Sequence, residues 1–170
     1  GNVTDKIIAV PKMFYWQMMN AGKVRQLGLD VSTNIEKRWG NDWAVSATGS
    51  YSYLSATDRT DPSELSYGDQ IAYTPHHSGS ANILIHSPWL DLGYNVLLMG
   101  ERYTLGYNIP HNRMSAFTDH SITLSREFNI NKQQLRVQLD VRNLGNKNYE
   151  VVRFYPMPGI NWRLSVSWEL

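Results

Sequence analysis

Residues 134–141 read Gln-Leu-Arg-Val-Gln-Leu-Asp-Val, with an apolar side chain at every second position. Successive side chains of a β-strand point to opposite faces, so this period of two predicts a strand with one apolar face and one strongly polar face. The last residues repeat the pattern, since six apolar residues alternate with polar ones over 160–170. The two stretches together predict a sheet that is apolar on one side only.

Weaker forms of the same alternation occur along the rest of the chain. We count eight strands and no helix, so the predicted fold is an all-β, antiparallel sheet or barrel. Apart from the two stretches above, the predicted strands lie at 27–35, 43–53, 80–85, 90–99 and 120–128, with a weaker one leading the chain at Lys6 to Val10.

Composition excludes several classes of protein. The 170 residues carry 16 Lys+Arg against 15 Asp+Glu, so the chain is close to neutral and lacks the basic surface of a nucleic-acid binder. The absence of cysteine excludes a disulfide framework, a cysteine-ligated metal and a thiol nucleophile. No apolar run approaches the roughly 18 residues of a membrane helix, whereas alternating strands are how a β-barrel crosses a membrane.

The predicted connections alternate between short and long. In an antiparallel meander this places all long loops at one end, as in an outer-membrane barrel with tight periplasmic turns. Short connections lie at 38–42, 87–88 and 129–133, and long ones at 13–22, 57–75, 106–116 and 146–159. Aromatic residues sit beside the short connections or the chain end, where a girdle would meet the lipid headgroups: Trp39, Trp43, Trp89, Phe128 and Trp168.

Three groups of motifs carry a family resemblance. The first is Asn-Val-Thr-Asp-Lys-Ile-Ile at 2–8 followed by Asn-Ala-Gly-Lys-Val-Arg-Gln-Leu-Gly-Leu-Asp at 20–30. The second is Tyr-Thr-Pro-His-His at 73–77, and the third is Val-Arg-Asn-Leu-Gly-Asn-Lys-Asn-Tyr at 141–149 with Tyr-Pro-Met-Pro-Gly at 155–159. In this order the motifs resemble the late barrel strands and the C-terminal end of TonB-dependent outer-membrane receptors.

The resemblance implies a fold, a location and partners. Such receptors have a 22-stranded barrel around an N-terminal plug, so residues 1–170 are expected to be a C-terminal segment of the barrel, with the plug and earlier strands outside this chain. The expected location is the outer membrane of a Gram-negative bacterium. Partners would be the rest of the barrel and the plug, outer-membrane lipid, an inner-membrane energy-transducing complex and a surface lipoprotein.

The imported nutrient would be cobalamin, haem or a ferric siderophore. The barrel assembly machinery recognises a terminal strand that usually ends in an aromatic residue, and this sequence differs in having Leu170 there.

Candidate binding residues come from the long loops. Residues 13–19 are rich in aromatic and thioether side chains, which adapt to bulky apolar surfaces. Ligand contact at the outer mouth and packing between neighbouring loops both remain open for this cluster. The predicted contact residues are Tyr15, Trp16, Met18, Met19, Tyr107, Tyr155 and Met157.

No catalytic or metal site is predicted. Five scattered histidines lack ligand spacing, and no nucleophile or paired-carboxylate motif occurs, so we predict neither an enzyme nor a cofactor. Acidic residues at 58, 61, 64 and 69 fit a solvated loop better than a calcium site. Charges on the polar face are expected to support the wall or a plug, namely Asp30, Glu101, Arg136, Asp140, Arg142, Arg163 and Glu169.

Two other readings stay open on sequence alone. One is a self-contained eight-stranded outer-membrane barrel that acts as an anchor or adhesin, for which 170 residues is a suitable length. The other is a soluble β-barrel or sandwich with an apolar core. A complete small barrel needs a first strand that pairs with the last, and Lys6 to Val10, interrupted by Pro11, is poorly suited to that role.

Overall fold

The structure is a computed structural model that describes residues 1–4, 7–11, 16–20, 22–40, 42–130 and 133–169. Within these residues it contains fourteen strands and one short 3₁₀ turn, Pro110–Asn112. The strands are β1 Asn2–Val3, β2 Ile7–Pro11, β3 Trp16–Asn20, β4 Val24–Trp39, β5 Trp43–Asp58, β6 His77–His86, β7 Asp91–Met99, β8 Arg102–Tyr103, β9 Arg113–Met114, β10 Phe117–Ile130, β11 Gln133–Arg142, β12 Glu150–Val152, β13 Tyr155–Pro156 and β14 Asn161–Glu169.

Eight strands form one antiparallel sheet in the order β1-β4-β5-β6-β7-β10-β11-β14. Its pairs are regular, for example from Val24 opposite Asp58 to Trp39 opposite Trp43 along β4 and β5. This confirms the predicted all-β antiparallel architecture. Strands β1 and β14 each have one neighbour in this sheet and do not pair with each other among the described residues, so the sheet is an open part of a barrel wall.

The register assigns each side chain to one of two faces. Leu139 lies opposite Leu124 on one side and Leu164 on the other, in the middle of an apolar face. The adjacent Asp140 lies opposite Thr123 and Arg163 on the polar face. The alternation of residues 134–141 therefore separates the faces as predicted.

The apolar face is exposed over the described part of the wall. Trp162 is 72% exposed and Leu164 56%, whereas the buried apolar cluster that the described residues form is small and contains Val24, Ala56 and Ile71. An apolar surface of this extent needs an apolar environment outside the protein. The soluble-barrel reading, in which this face would form the core, does not describe the sheet.

The start of the chain differs from the prediction. We expected Lys6 to Val10 to lead the sheet, but Ile7–Pro11 pairs with Trp16–Asn20 in a separate hairpin, and the sheet edge is Asn2–Val3 beside Val24 and Arg25. Lys6 itself lies outside the described residues. The physical reason is that a hairpin between neighbouring segments closes a short loop, which costs less entropy than a distant pairing. The connection expected at 13–22 therefore carries a strand.

The two ends of the sheet have different connections. At one end consecutive strands are separated by only two to four residues, after Trp39, His86 and Ile130, and at the other end they are joined through 59–76, 100–116 and 143–160. This confirms the predicted alternation. The aromatic residues of the short-turn end are all substantially exposed, and the rings of Trp43 and Trp89 meet edge-to-face with centroids 5.7 Å apart.

Candidate functional site

The long-connection end is held together by polar contacts between loops. The side chain of Gln70, which is buried, accepts a hydrogen bond from the backbone N–H of Ala56 at 2.8 Å and donates to the carbonyl of Leu54 at 2.9 Å. The carboxylate of Asp69 accepts one from the N–H of Asn108 at 2.8 Å. These bonds tie the loop at 59–76 to the wall and to the next long connection.

Arg102 links the third loop to the same end. Its side chain is buried, and one guanidinium nitrogen donates to the carbonyls of Glu150 and Val151 at 2.6 and 2.9 Å. The guanidinium carbon lies 5.5 Å from the centre of the Phe117 ring. Burial lowers the pKa of Arg102 from its ordinary value, because desolvation penalises the charged form. Arg102 thus holds the loop at 143–160 against the top of β10.

A stacked aromatic pair lies next to this arginine. The rings of Phe117 and Tyr149 are parallel within 18°, with centroids 4.1 Å apart. The Tyr149 hydroxyl donates to a carboxylate oxygen of Asp119 at 2.7 Å. Burial, and then this bond to an anion, raise the pKa of Tyr149 to about 12. The phenol is therefore a neutral donor at physiological pH.

An open cleft of about 670 Å³ lies between the start of β10 and the loop at 143–160. Its volume falls in the range of small-molecule sites. Three cationic side chains line it, Arg113, Lys147 and Arg153, against one acidic side chain, Glu150. Aromatic rings form much of the remaining wall: Phe117, Tyr149 and Phe154. The lining suits an anionic ligand with flat apolar parts.

The predicted contact residues are distributed around this cleft. Tyr155 and Met157 are exposed and belong to the loop that forms one wall, but the lining residue between them is Pro156. Tyr107 is exposed in the loop that Asp69 ties down. Tyr15 lies outside the described residues, and of Trp16, Met18 and Met19 the structure describes only the backbone, in β3. The contact role of all seven residues stays a prediction.

Sequence reasoning missed the cations of the cleft. Arg113 begins the two-residue strand β9, and Lys147 and Arg153 lie in the loop at 143–160, so the alternation that located the long strands gives no signal at these positions. Each of the two arginines at 113 and 153 is close in sequence to an aromatic residue at a loop end, Phe117 and Phe154, and that proximity was the available clue.

The charges on the polar face form a network across three strands. Asp140, which is buried, accepts hydrogen bonds from Thr123 at 2.8 Å, Gln138 at 3.1 Å and Arg163 at 3.4 Å. Arg136, Arg142 and Glu169 are in phase with it along β11 and β14. Glu101 differs from the prediction, because it lies past the end of β7 and pairs with Arg113 at 3.0 Å. A plug-supporting role for this network stays a prediction.

The acidic loop residues bond within their own loop. Asp58 accepts from the N–H of Thr60 and the hydroxyl of Ser66, both at 2.8 Å, and Asp61 accepts from Ser63. The residues that the structure describes contain no group of three or more potential metal ligands. In the same part of the chain no helix is long and apolar enough to cross a membrane.

Similar structures show the same fold. The chain superimposes on the ferric preacinetobactin receptor BauA from Acinetobacter baumannii with a TM-score of 0.64 and 15% identity, covering 97% of this chain and 32% of that one. It superimposes on the FrpB iron transporter from Neisseria meningitidis, F3-3 variant, with a TM-score of 0.56 and 16% identity, covering 97% and 27%. The chain thus spans about a third or less of either protein.

A search of curated protein sequences finds no match to the chain. The family model described as TonB dependent receptor-like, beta-barrel matches residues 1–144, which is most of the sequence. The match agrees with the order of the motifs and with the open antiparallel wall. The chain therefore belongs to the TonB-dependent receptor β-barrel family.

Proposed function

We propose that this chain is the C-terminal barrel segment of a receptor that imports a scarce, bulky nutrient across the outer membrane of a Gram-negative bacterium. Family membership supports the receptor class, which is not an enzyme family. The exposed apolar face supports insertion in lipid, because a closed barrel leaves only that face outside. Energy would come from an inner-membrane complex that contacts the plug.

The remainder of the barrel and the plug would belong to the same polypeptide. The chain covers 32% and 27% of the two similar structures, which supports this arrangement. Mass spectrometry of the denatured protein from solubilised outer membrane tests it. Peptides of this chain should belong to a polypeptide several times 19.5 kDa. A lone species of that mass that shifts in gel mobility only on boiling would support the self-contained barrel instead.

Among the three nutrients that the resemblance implies, we favour a ferric siderophore over cobalamin and haem. The observation that carries this choice is the cleft, whose lining combines aromatic walls with three cations and one carboxylate, Glu150, although Arg113 also pairs with Glu101 at 3.0 Å. Cationic side chains bind the acidic groups of an iron chelate through charge-assisted hydrogen bonds. The names of both similar structures, a ferric preacinetobactin receptor and an iron transporter, support a ligand that carries iron.

The substrate class is tested by binding and uptake of radioactive ferric chelates by the complete receptor. Replacing Arg113 and Arg153 together by glutamine should weaken binding of an anionic ferric chelate about tenfold. Arg126→Gln is the matched control, because its guanidinium lies over the Phe128 ring on the apolar face near the opposite end. A protonophore should abolish uptake but spare binding. Equal affinity of the double variant and the control would refute the cleft as the site.

The loop residues predicted from sequence extend this proposal. Tyr107, Tyr155 and Met157 lie at the same end as the cleft and would contact a ligand larger than the cleft itself. Tyr15, Trp16, Met18 and Met19 are proposed as a further contact, to the ligand or to a surface lipoprotein. Alanine substitution of Tyr155 and Met157 should weaken ligand binding with little effect on barrel stability, because both are exposed.

A further inference from the structure

The tip of the hairpin formed by β12 and β13 has an unusual residue in its turn. Val152 lies opposite Tyr155, which leaves Arg153 and Phe154 as a two-residue loop between the strands. Phe154 occupies the third position of this turn with a φ of 69°. Glycine or asparagine is usual at that position, because a larger side chain is strained at positive φ. The aromatic residue therefore costs free energy that some other contact must offset.

Contacts among the described residues leave most of the Phe154 side chain open. It is 58% exposed and lines the cleft. Tyr73 gives the contrast, because it also has a positive φ, of 54°, but is partly buried and bonded within the protein. Its N–H donates to the carbonyl of Tyr103 at 2.7 Å, and its hydroxyl accepts a hydrogen bond from the backbone of Arg153. Internal bonds thus stabilise the strained tyrosine, whereas the strained phenylalanine presents its ring to the cleft.

The hairpin below this tip is held in place by several bonds. The buried Arg102 donates to the carbonyls of Glu150 and Val151 in β12. The N–H of Phe154 donates to the Glu150 carboxylate at 3.2 Å, and the backbone of Arg153 bonds to the tyrosine described above. The exposed ring is therefore carried on a preorganised support, which lowers the entropic cost of binding a ligand.

A cation lies beside this ring. The guanidinium carbon of Arg153 is 5.5 Å from the centre of the Phe154 ring. Among the residues that the structure describes, no carboxylate forms an ion pair with Arg153. An aromatic group that carries negative charge would complement both side chains, because it can stack on the phenyl ring and accept charge-assisted hydrogen bonds from the guanidinium.

We propose that Arg153 and Phe154 recognise an aryl group of the ligand, so that the imported ferric chelate carries phenolate or catecholate rings and not only aliphatic oxygen ligands. Phe117 and Tyr149 line the same cleft and add a second aromatic wall. This inference rests on the proposed import of a ferric chelate and names the chemical class of that chelate.

The test compares binding of two radioactive ferric complexes, those of dihydroxybenzoylglycine and of citrate, to the complete receptor. Both are anionic, but only the first contains aryl rings. The receptor should prefer the aryl complex about tenfold, and Phe154→Leu should reduce that preference about fivefold. Phe128→Leu is the matched control and should leave the preference unchanged. That ring also lies beside an arginine, Arg126 at 4.9 Å, but on the apolar face near the opposite end.

A second variant, Phe154→Gly, separates binding from folding. Glycine suits the turn, so the hairpin should stay at least as well protected in hydrogen exchange while affinity for the aryl complex falls. The Met157 N–H reports on the hairpin, because it donates to the carbonyl of Tyr149 at 2.9 Å. Loss of protection together with loss of affinity would give Phe154 a structural role and overturn the proposal.

Two binding results would also overturn it. Equal affinity of the wild type for the two complexes would refute aryl recognition while leaving the proposed import of ferric chelates intact. Equal weakening of both complexes by Phe154→Leu would show that the ring supports the cleft or packs against another part of the receptor. Binding of neither complex, with no uptake sensitive to a protonophore, would refute the proposed function and this inference with it.

Discussion

The wall of the barrel and its long-connection end are specified in different ways. Along the wall, backbone ladders join strands whose side chains alternate, and few individual side-chain bonds are needed. At the long-connection end, short strands and irregular segments depend on single buried polar groups, chiefly Gln70, Arg102 and Asn143. A repeated pattern tolerates local change, whereas a single buried contact does not. The two regions should therefore respond differently to substitution.

The largest expected effect is on the wall, where the face of a residue decides the outcome. Leu139→Arg places a charge at the middle of the apolar face and should disfavour insertion by roughly 2–4 kcal/mol. Gln138→Arg, one residue away on the polar face, should be mild. The inserted fraction of each variant in lipid vesicles measures the difference. Equal loss at both positions would contradict the assignment of the faces.

The second largest effect is expected from substitution of Arg102 at the long-connection end. Arg102→Met keeps an apolar stem but removes the bonds to Glu150 and Val151, and should cost roughly 1.5–3 kcal/mol of local stability. Hydrogen exchange should lose protection over 143–160 while the ladder of β10 and β11 stays protected. Arg113→Met is the control, because its ion pair with Glu101 is exposed and contributes at most about 1 kcal/mol. Loss of protection throughout the wall would show that the two regions are not separate.

The smallest expected effect concerns Tyr149. Tyr149→Phe removes the bond to Asp119 and should cost about 1 kcal/mol, with Tyr107→Phe as a control in another loop. Ultraviolet titration of the wild type should show a tyrosine that ionises near pH 12 and is missing from Tyr149→Phe.

The raised pKa of Tyr149 also predicts how the stability of the fold changes with pH. The unfolded tyrosine, with a pKa of about 10, loses its proton first as the pH rises. The stability that this phenol contributes is therefore complete below about pH 10 and is lost as the pH rises through about 12. Thermal unfolding of wild type and Tyr149→Phe should converge above that window. A constant difference between them at all pH values would argue against the assignment.

Sequence alone predicted the wall because its signal is repeated. The alternation in 134–141 located β11, and the turns between strands followed from interruptions in the same pattern. The strands at 24–39 and 43–58 extend beyond the predicted 27–35 and 43–53, because polar residues at their ends keep pairing where the apolar alternation stops. The hairpin of β2 and β3 was missed for a related reason. It is a pairing choice between two short segments, which periodicity does not decide.

The cleft was largely invisible to the same reasoning. Its aromatic and basic residues lie in segments without periodicity, and they meet only because Arg102 and Asn143 fix the loops above β10. Residue type pointed to Tyr155 and Met157, which lie in the loop that forms one wall of the cleft, and their contact role stays a prediction. Identifying Arg113 and Arg153 required three-dimensional contacts.

The order of the strands also has a consequence for assembly. Each long strand from β5 to β14 pairs with the long strand that precedes it along the chain. A wall of this topology can grow one hairpin at a time. Each new strand pairs with the strand before it in the chain, so it needs no partner that is distant in sequence. Elongation can thus proceed in step with delivery of the polypeptide to the membrane, and each added hairpin satisfies the exposed backbone of the strand before it.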